Sequence, residues 1–400
     1  MSPPLSRQAA RARRVETRRL LVALCRRAPG PPGSLDAVSR LDDGAFRAEL
    51  LARAASGRVL ALALHALERL GLTDTLEAGT ARALRAAGAR PRVRAAAQAM
   101  EHQRVVAQLA SRAVEVVLLK GAALRHTVYR RPEERYTRDL DLLVAPARVA
   151  AAVDALAALG YTAPDEETTA AYQRHHFHLQ LRHPRGHLVE LHWALTEPDS
   201  PVRLDAAAML RDAHAVRGLP PTARVPATRH LLLHLAVQSA TDGTRPFARI
   251  VDVDRLVAAT PALDWDALVA EARRAGVSTA LGADLAAARA LLGAPVPADV
   301  VARLRPGPVV RAHLALLRPA RYLLGVAPPA DSELRLLQLW TLAGDHGVAA
   351  ALRWLETQGF AGPVGRAARE AQAGGGRGRA LARLKLGAYQ VTRYAALLRR

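Results

Sequence analysis

Two short apolar runs stand out from a chain whose pattern is helical over most of its length. The first, Val114 to Leu119, is β-branched and apolar and stops abruptly at Lys120-Gly121. The second, Asp139 to Val144, alternates two acids with leucines before it ends. Both runs are typical of strands, and Ala122 to Tyr129 between them can form a short helix. The pattern therefore predicts strand, tight turn, helix, loop and strand over residues 114–144.

A histidine-rich segment further along predicts a hairpin. Residues 175–182 and 187–193 alternate in polarity, and the His-Pro-Arg-Gly segment at 183–186 marks the turn between them. Glu190 is the lone acid of the returning arm, and His192 falls on the same face of it. We expect this arm to lie antiparallel beside the strand with the two acids, which would bring Glu190 to their side.

The remaining segments are helical in pattern, so we predict an α+β fold in which a small mixed sheet is flanked by N-terminal and C-terminal helical regions. Gly and Pro clusters suggest where these regions divide. The expected parts are a basic flexible arm (1–33), a helical N-terminal region (34–110), a core with the sheet (111–200), a helical C-terminal domain (201–372), and a Gly-rich linker followed by a basic amphipathic helix (373–400).

Composition narrows the class of protein. The chain has 400 residues of which 50% are hydrophobic, enough to bury a sizeable core. The single cysteine, Cys25, excludes an intramolecular disulfide, and a reducing cytoplasm is the expected location. We expect no transmembrane helix, because no run of about 18 apolar residues occurs. The apolar stretch at residues 20–25 is too short for a secretory signal.

The formal net charge of +21 is concentrated at the two ends of the chain. Residues 1–30 hold eight Arg and one Glu, and residues 361–400 hold eight Arg, one Lys and one Glu. A nucleic acid, an anionic lipid surface or a polyanionic substrate would suit such ends, although a general preference for Arg explains them equally. Of 57 basic residues only Lys120 and Lys385 are lysines, so the compact charge of Lys120 at the turn indicates a functional demand.

The acids of the second strand supply candidate chemistry. Asp139 and Asp141 are two positions apart, so both side chains point to one face of a strand. Paired carboxylates beside the helix N-terminus that follows Gly121 suit a divalent metal ion and phosphate. A solvated strand face is the alternative, but the Lys-Gly turn and Glu190 strengthen the metal hypothesis. The residues thus indicate a site that transfers a phosphate-linked group.

The hairpin histidines suggest a zinc site as a further alternative. They lie at positions 175, 176, 178, 183, 187 and 192. No cysteine accompanies them, and the alternation of a strand already accounts for His176 and His178. His192, beside Glu190, is the histidine expected near the substrate.

Three segments carry a resemblance to a known family: Leu119-Lys120-Gly121-Ala122-Ala123-Leu124, Arg135-Tyr136-Thr137-Arg138-Asp139-Leu140-Asp141-Leu142, and Val189-Glu190-Leu191-His192-Trp193. Their layout resembles the nucleotidyltransferase fold of the DNA polymerase β superfamily, and more narrowly the uncharacterised bacterial nucleotidyltransferase family proteins. It is also similar to the nucleotidyltransferase toxins of type IV toxin–antitoxin systems. The resemblance covers about residues 110–300, where Asp252 fits the helical tail. It departs at Gly121-Ala122, where the superfamily usually has Gly-Ser or Gly-Gly.

The resemblance implies a small mixed nucleotidyltransferase sheet at 111–200 and a Mg²⁺-dependent enzyme. It would transfer a nucleoside monophosphate from a nucleoside triphosphate (NTP) to an acceptor, a small molecule or saccharide intermediate, with release of pyrophosphate. Asp139 and Asp141 would bridge two Mg²⁺ ions, and Glu190 would hold the ion that activates the acceptor hydroxyl, or act as its base. The expected NTP-binding residues are Lys120, Gly121, Ala122, Arg135 and Thr137.

The sequence leaves open the roles of two of these residues and two alternative functions. Lys120 or Arg135 would neutralise phosphate oxygens, although Arg135 can equally form a structural salt bridge with Glu133 or Asp139. One alternative function is a toxin-like nucleotidyltransferase that modifies tRNA or protein, which the basic ends favour slightly. Another is a non-catalytic helical scaffold that binds NTP.

Overall fold

The computed structural model describes residues 7–28, 30–165, 169, 172, 176–242, 246–317, 320–326 and 331–358. Within these residues the chain is an α+β fold in which one six-stranded mixed sheet lies among helices, as predicted. The linker and amphipathic helix expected at 373–400, and His175 of the hairpin, lie outside the described residues.

The sheet is built from short strands whose spatial order is β3-β4-β2-β1-β6-β5. They are β1 (Val116–Leu118), β2 (Leu140–Leu143), β3 (His178–Arg182), β4 (Leu188–His192), β5 (His214–Ala215) and β6 (Ala223–Val225). Strand β1 pairs antiparallel with β2 and parallel with β6, while β4 pairs parallel with β2 and antiparallel with β3. All residues of β1 and β2 are buried, which explains why the two runs are so apolar.

Helices precede, connect and follow these strands. Before and between them lie α1 (Arg7–Cys25), α2 (Gly44–Ser56), α3 (Leu60–Arg69), α4 (Ala78–Ser111), α5 (Lys120–Thr127), α6 (Val149–Ala157) and α7 (Ala206–Arg211). After them come α8 (Thr228–Thr241), α9 (Phe247–Ala259), α10 (Trp265–Ala275), α11 (Ser278–Leu292), α12 (Ala298–Arg303), α13 (Pro308–Leu317), α14 (Ala320–Leu323), α15 (Asp331–His346) and α16 (Val348–Gln358). Across the described ranges no helix combines the length and apolar character needed to cross a membrane.

Helix α1 corrects the prediction of a flexible arm for the residues that the structure describes there. Leu20, Leu21 and Cys25 are fully buried in the main core, and α1 packs against α2 and α3. Arg13 of the same helix is paired, with its Nε 2.9 Å from Glu49 Oε2. The arginines interrupt the apolar stripe along the sequence, so the segment reads as basic although one face is a core face. The division of the chain into five parts stays a prediction.

Strands β5 and β6 correct the prediction that residues 201–372 are helical throughout. Strand β6 pairs with β1 in the register Val116↔Ala223, so the sheet extends beyond residue 200. The two strands are only two and three residues long, too short for an alternating pattern to distinguish them from a loop.

Candidate active site

Three acids meet where β2 and β4 lie side by side. The two strands pair in the register Asp141↔Glu190, and Asp139 immediately precedes β2. One carboxylate oxygen from each of Asp139, Asp141 and Glu190 lies within 4.8 Å of the other two. The predicted cluster is therefore formed, but by a parallel pair of strands. The expected antiparallel arrangement is wrong because β3 takes the edge of the sheet and leaves β4 to run beside β2.

Asp139 differs from the other two acids because it has no hydrogen bond or ion pair within the part of the chain that the structure describes. Its side chain is half-buried and faces Asp141 and Glu190. Burial, followed by repulsion from Asp141, raises the pKa of Asp139 above its ordinary value. A bound cation would stabilise an unpaired carboxylate that lies beside two others.

Lys120 points into this acidic cluster. Its Nζ lies 2.5 Å from Asp141 Oδ1 and 3.6 Å from Glu190 Oε2. Burial opposes the charge of both partners, but their attraction outweighs it. The pKa of Lys120 is thus raised, and that of Asp141 is held well below its ordinary range. Both groups are therefore charged at neutral pH, and the ammonium occupies the position where the acids would otherwise offer oxygens to a metal ion.

The turn between β1 and α5 sets the position of that lysine. Lys120 has a φ of 48°, in the left-handed region that a residue with a Cβ adopts at a cost of about 1–2 kcal/mol. The sharp turn was expected at Gly121, but the left-handed residue is Lys120. Such strain is typical of functional sites, where the surrounding structure holds a side chain in one direction.

Gly121 is required for a different reason, the close approach of Thr137. A Cβ atom added at Gly121 would collide with Cγ2 of Thr137. The Thr137 side chain is buried, and its Oγ1 has no hydrogen-bond partner within the described residues. The glycine thus makes room for the Thr137 methyl group, which lets this residue pack into the lining of the cavity.

A substitution at Gly121 tests this packing. We expect Gly121→Ala to lower the free energy of unfolding by about 1–3 kcal/mol, because the new methyl group overlaps Thr137 Cγ2. In the Gly121→Ala background, Thr137→Ser removes that methyl group and keeps the hydroxyl, so it should restore most of the lost stability. Urea denaturation of the two single variants and the double variant measures the coupling. Additive losses would contradict the contact.

Ala122 does not contribute in the expected way. Its N–H donates to the Leu119 carbonyl oxygen at 3.1 Å, and its side chain is buried in the core. The amide predicted to cradle phosphate is therefore already engaged in the turn.

Arg135 anchors the loop that carries Thr137 and Asp139. Its Nη2 lies 2.8 Å from Asp252 Oδ2, its Nε donates to the same carboxylate, and its Nη1 donates to the Tyr136 carbonyl oxygen. The salt-bridge partners expected from the sequence, Glu133 and Asp139, are wrong, since the partner is a buried acid of α9. With every guanidinium nitrogen bonded to the protein, Arg135 is placed to hold the loop rather than to reach phosphate.

Asp252 is the residue whose role the sequence did not reveal. It is fully buried and also accepts a hydrogen bond of 2.6 Å from the Tyr129 hydroxyl. The available signal was an acid between valines in an apolar helix, which is unusual unless the acid is paired.

Two histidines lie against the acids. His192 Nε2 lies 3.1 Å from Asp141 Oδ1 and 3.7 Å from Glu190 Oε2, so His192 lies beside the acids as expected. His178, Glu190 and His192 also offer ligand atoms within 4.8 Å of one another. Burial, then repulsion from His192, lowers the pKa of His178 to about 2, so this imidazole is neutral. A mixed His and Glu group thus adjoins the three carboxylates.

The turn before α5, the loop before β2 and the three acids line one cavity of about 670 Å³. Every residue predicted for the site lines it except Ala122: Lys120, Gly121, Arg135, Thr137, Asp139, Asp141 and Glu190. Leu60, Ala61, Pro91 and several arginines also line the cavity. The cavity therefore combines an acidic cluster and one lysine with a lining that is partly apolar and partly cationic.

Comparison with known proteins gives a family match over this region. The family model described as "Uncharacterised nucleotidyltransferase" matches residues 47–293. That span contains the whole sheet, the acidic cluster, Lys120 and Asp252. No curated protein matches the chain significantly.

Proposed function

The chain belongs to the uncharacterised nucleotidyltransferase family, and from this premise we propose that it transfers a nucleoside monophosphate from an NTP to the hydroxyl group of an acceptor. The bond between the α-phosphorus and the acceptor oxygen would form, the bond to the β-phosphate would break, and pyrophosphate would leave. The observation that carries the proposal is the convergence of Asp139, Asp141 and Glu190 on one cavity, with Asp139 unpaired in the described structure.

The donor set fits a divalent cation of the Mg²⁺ type. Hard cations prefer carboxylate oxygens, and Asp139, Asp141 and Glu190 supply them within one small space. Bound there, such an ion would neutralise developing charge on the transferred phosphate and favour deprotonation of the acceptor hydroxyl. The neighbouring His178–Glu190–His192 group suits zinc better. His192 Nε2 is already within hydrogen-bonding distance of Asp141, so this imidazole is less available as a zinc ligand, and the carboxylate set is favoured.

The remaining residues of the cavity have roles that follow from their positions. Lys120 neutralises Asp141 in this structure, and its ammonium would neutralise phosphate oxygens if the carboxylate held a cation instead. The Thr137 hydroxyl has no partner among the described residues, and it would donate a hydrogen bond to a bound triphosphate after a rotation of the side chain. Glu190 accepts the proton of the acceptor hydroxyl or holds the cation next to it.

Competition between Lys120 and the metal ion gives a binding prediction. Lys120→Met should increase the affinity for Mn²⁺ without nucleotide on the order of tenfold, because the ammonium no longer occupies the carboxylates. Lys120→Arg retains the charge and should not produce this gain. Arg138→Met removes a nearby cation that does not contact the acids, and should change the affinity by less than Lys120→Met. Titration followed by Mn²⁺ paramagnetic resonance measures all three variants, and equal affinities for Lys120→Met and the wild type would contradict the competition.

The proposed reaction is tested by incubating the protein with Mg²⁺, a cell extract and each of the four NTPs labelled at the α-phosphate. We expect label from a preferred NTP to appear in one acceptor. Treatment of the products with nuclease or protease distinguishes a small molecule from tRNA or a protein, the targets of the toxin-like alternative. If no NTP labels any molecule, the scaffold alternative is favoured and the proposed activity is wrong.

A further inference from the structure

Four arginines that solvent still reaches line the same cavity. Arg58 comes from the turn between α2 and α3, Arg90 and Arg94 from α4, and Arg138 from the loop before β2. We call these four residues the arginine rim. Residues four positions apart on a helix face the same way, so Arg90 and Arg94 point to the cavity together.

None of the four side chains of the arginine rim forms an ion pair or a hydrogen bond within the part of the protein that the structure describes. Other arginines of the same cavity are satisfied, Arg135 by Asp252 and Arg249 by the hydroxyl of Ser239. Asp139 attracts Arg58 and Arg138, but one carboxylate does not balance four guanidinium groups, so the rim keeps a net positive charge.

Arg58 shows how closely these charges are held together. Its φ is 57°, again in the left-handed region for a residue with a Cβ, so the backbone is strained in the conformation that directs this side chain. Partial burial lowers the pKa of the Arg58 guanidinium, and repulsion from Arg138 and Arg135 lowers it further. An anion in the cavity would relieve this repulsion.

The triphosphate of the nucleotide does not account for this charge. In the proposed function the metal ion and Lys120 on the acidic side already neutralise much of a bound triphosphate. The rim adds four cations to the same cavity, which Tyr136 also lines, with 41% of its surface exposed. An exposed aromatic ring among arginines is a combination that holds phosphate esters together with a ring to stack on.

We propose that the arginine rim is the acceptor subsite and that the acceptor is a phosphate ester. The assignment of the rim as an acceptor subsite rests on the proposed function, whereas the binding of phosphate esters to the rim does not. Phosphate groups lie against Arg58, Arg90, Arg94 and Arg138, and the acceptor hydroxyl then faces Glu190. The same chemistry occurs in a single-stranded nucleic acid and in a phosphorylated sugar.

Binding of defined probes to the full chain tests this assignment without requiring turnover. The probes are a fluorescein-labelled single-stranded oligonucleotide, followed by anisotropy, and glucose 1-phosphate as its competitor, with glucose as the uncharged control. The variant is Arg90→Gln/Arg94→Gln. Its matched control is Arg82→Gln/Arg85→Gln, which removes the same charge from exposed positions on the same helix outside the cavity.

We expect Arg90→Gln/Arg94→Gln to weaken probe binding about tenfold or more, and to reduce the slope of log affinity against log salt by about 1–2. The control pair should retain nearly wild-type affinity, and the affinity for NTP should change little in both. Oligonucleotide binding that glucose 1-phosphate does not displace identifies a nucleic-acid acceptor. Displacement of the oligonucleotide by glucose 1-phosphate identifies a small phosphate ester. Equal losses in the two double variants, or no binding of any phosphorylated probe, would overturn the proposal. Loss of turnover with intact, rim-dependent binding would instead count against the proposed reaction.

Discussion

Replacing Asp141 by asparagine is expected to reduce nucleoside monophosphate transfer by about 10³-fold or more. Asp141 lies at the centre of the site, since its carboxylate contacts Lys120 and His192 and is in register with Glu190. Asparagine has nearly the same shape but carries no charge, so the cation that the three acids attract would be held weakly. Initial rates of label transfer from the preferred NTP measure the loss.

A second variant separates catalysis from folding in this experiment. Asp141→Asn leaves Lys120 without its closest counterion, and breaking a buried ion pair costs about 3–5 kcal/mol. The loss of stability should be smaller here, because Glu190 lies 3.6 Å from the same ammonium and still balances part of its charge. The Asp141→Asn/Lys120→Met variant removes both charges and should recover stability while it stays inactive. Transfer within tenfold of the wild type in either variant would refute the role of Asp141.

Replacing Asp252 by asparagine should lower the free energy of unfolding by about 3–5 kcal/mol, the largest loss that we expect for a single substitution. The change leaves the buried guanidinium of Arg135 uncompensated and weakens the hydrogen bond from Tyr129. Because Arg135 anchors the loop of Thr137 and Asp139, turnover should fall as well. Chemical denaturation measures the free energy of unfolding.

Asp254→Asn is the matched control for this prediction. Asp254 lies two residues further along the same helix and is equally buried, but its partner Arg27 is 35% exposed and can be solvated when the pair is broken. We expect a loss well below that of Asp252→Asn. Similar losses in both variants would show that burial of an acid in α9, rather than the anchoring of Arg135, determines the effect.

The acidic cluster could be predicted because its geometry is local. Side chains two positions apart on a strand share a face, so the sequence predicts that Asp139 and Asp141 point to the same side. Glu190 joins them if its strand lies next to theirs. Lys120 was identified by its rarity in a chain that uses arginine almost everywhere. Its contact with Asp141, however, depends on a left-handed backbone at position 120 that no sequence pattern indicates.

The features that escaped prediction depend on contacts between distant parts of the chain. Arg135 and Asp252 are 117 positions apart, so the partner of the arginine could not be read from its neighbours. The parallel pairing of β4 with β2 depends on which arm of the hairpin takes the sheet edge. The core face of α1 was hidden because arginines dominate the local composition. Tertiary burial of Leu20 and Leu21, which defines that face, is visible only in the fold.

Comparing NTP labelled at the α-phosphate with NTP labelled at the γ-phosphate shows which phosphate group is transferred. With Mg²⁺ and an acceptor present, we expect α-label to enter the acceptor, γ-label to be recovered as pyrophosphate, and both products to disappear with Asp141→Asn. Transfer of γ-label to the acceptor, or undiminished transfer of α-label by Asp141→Asn, would contradict the proposed reaction.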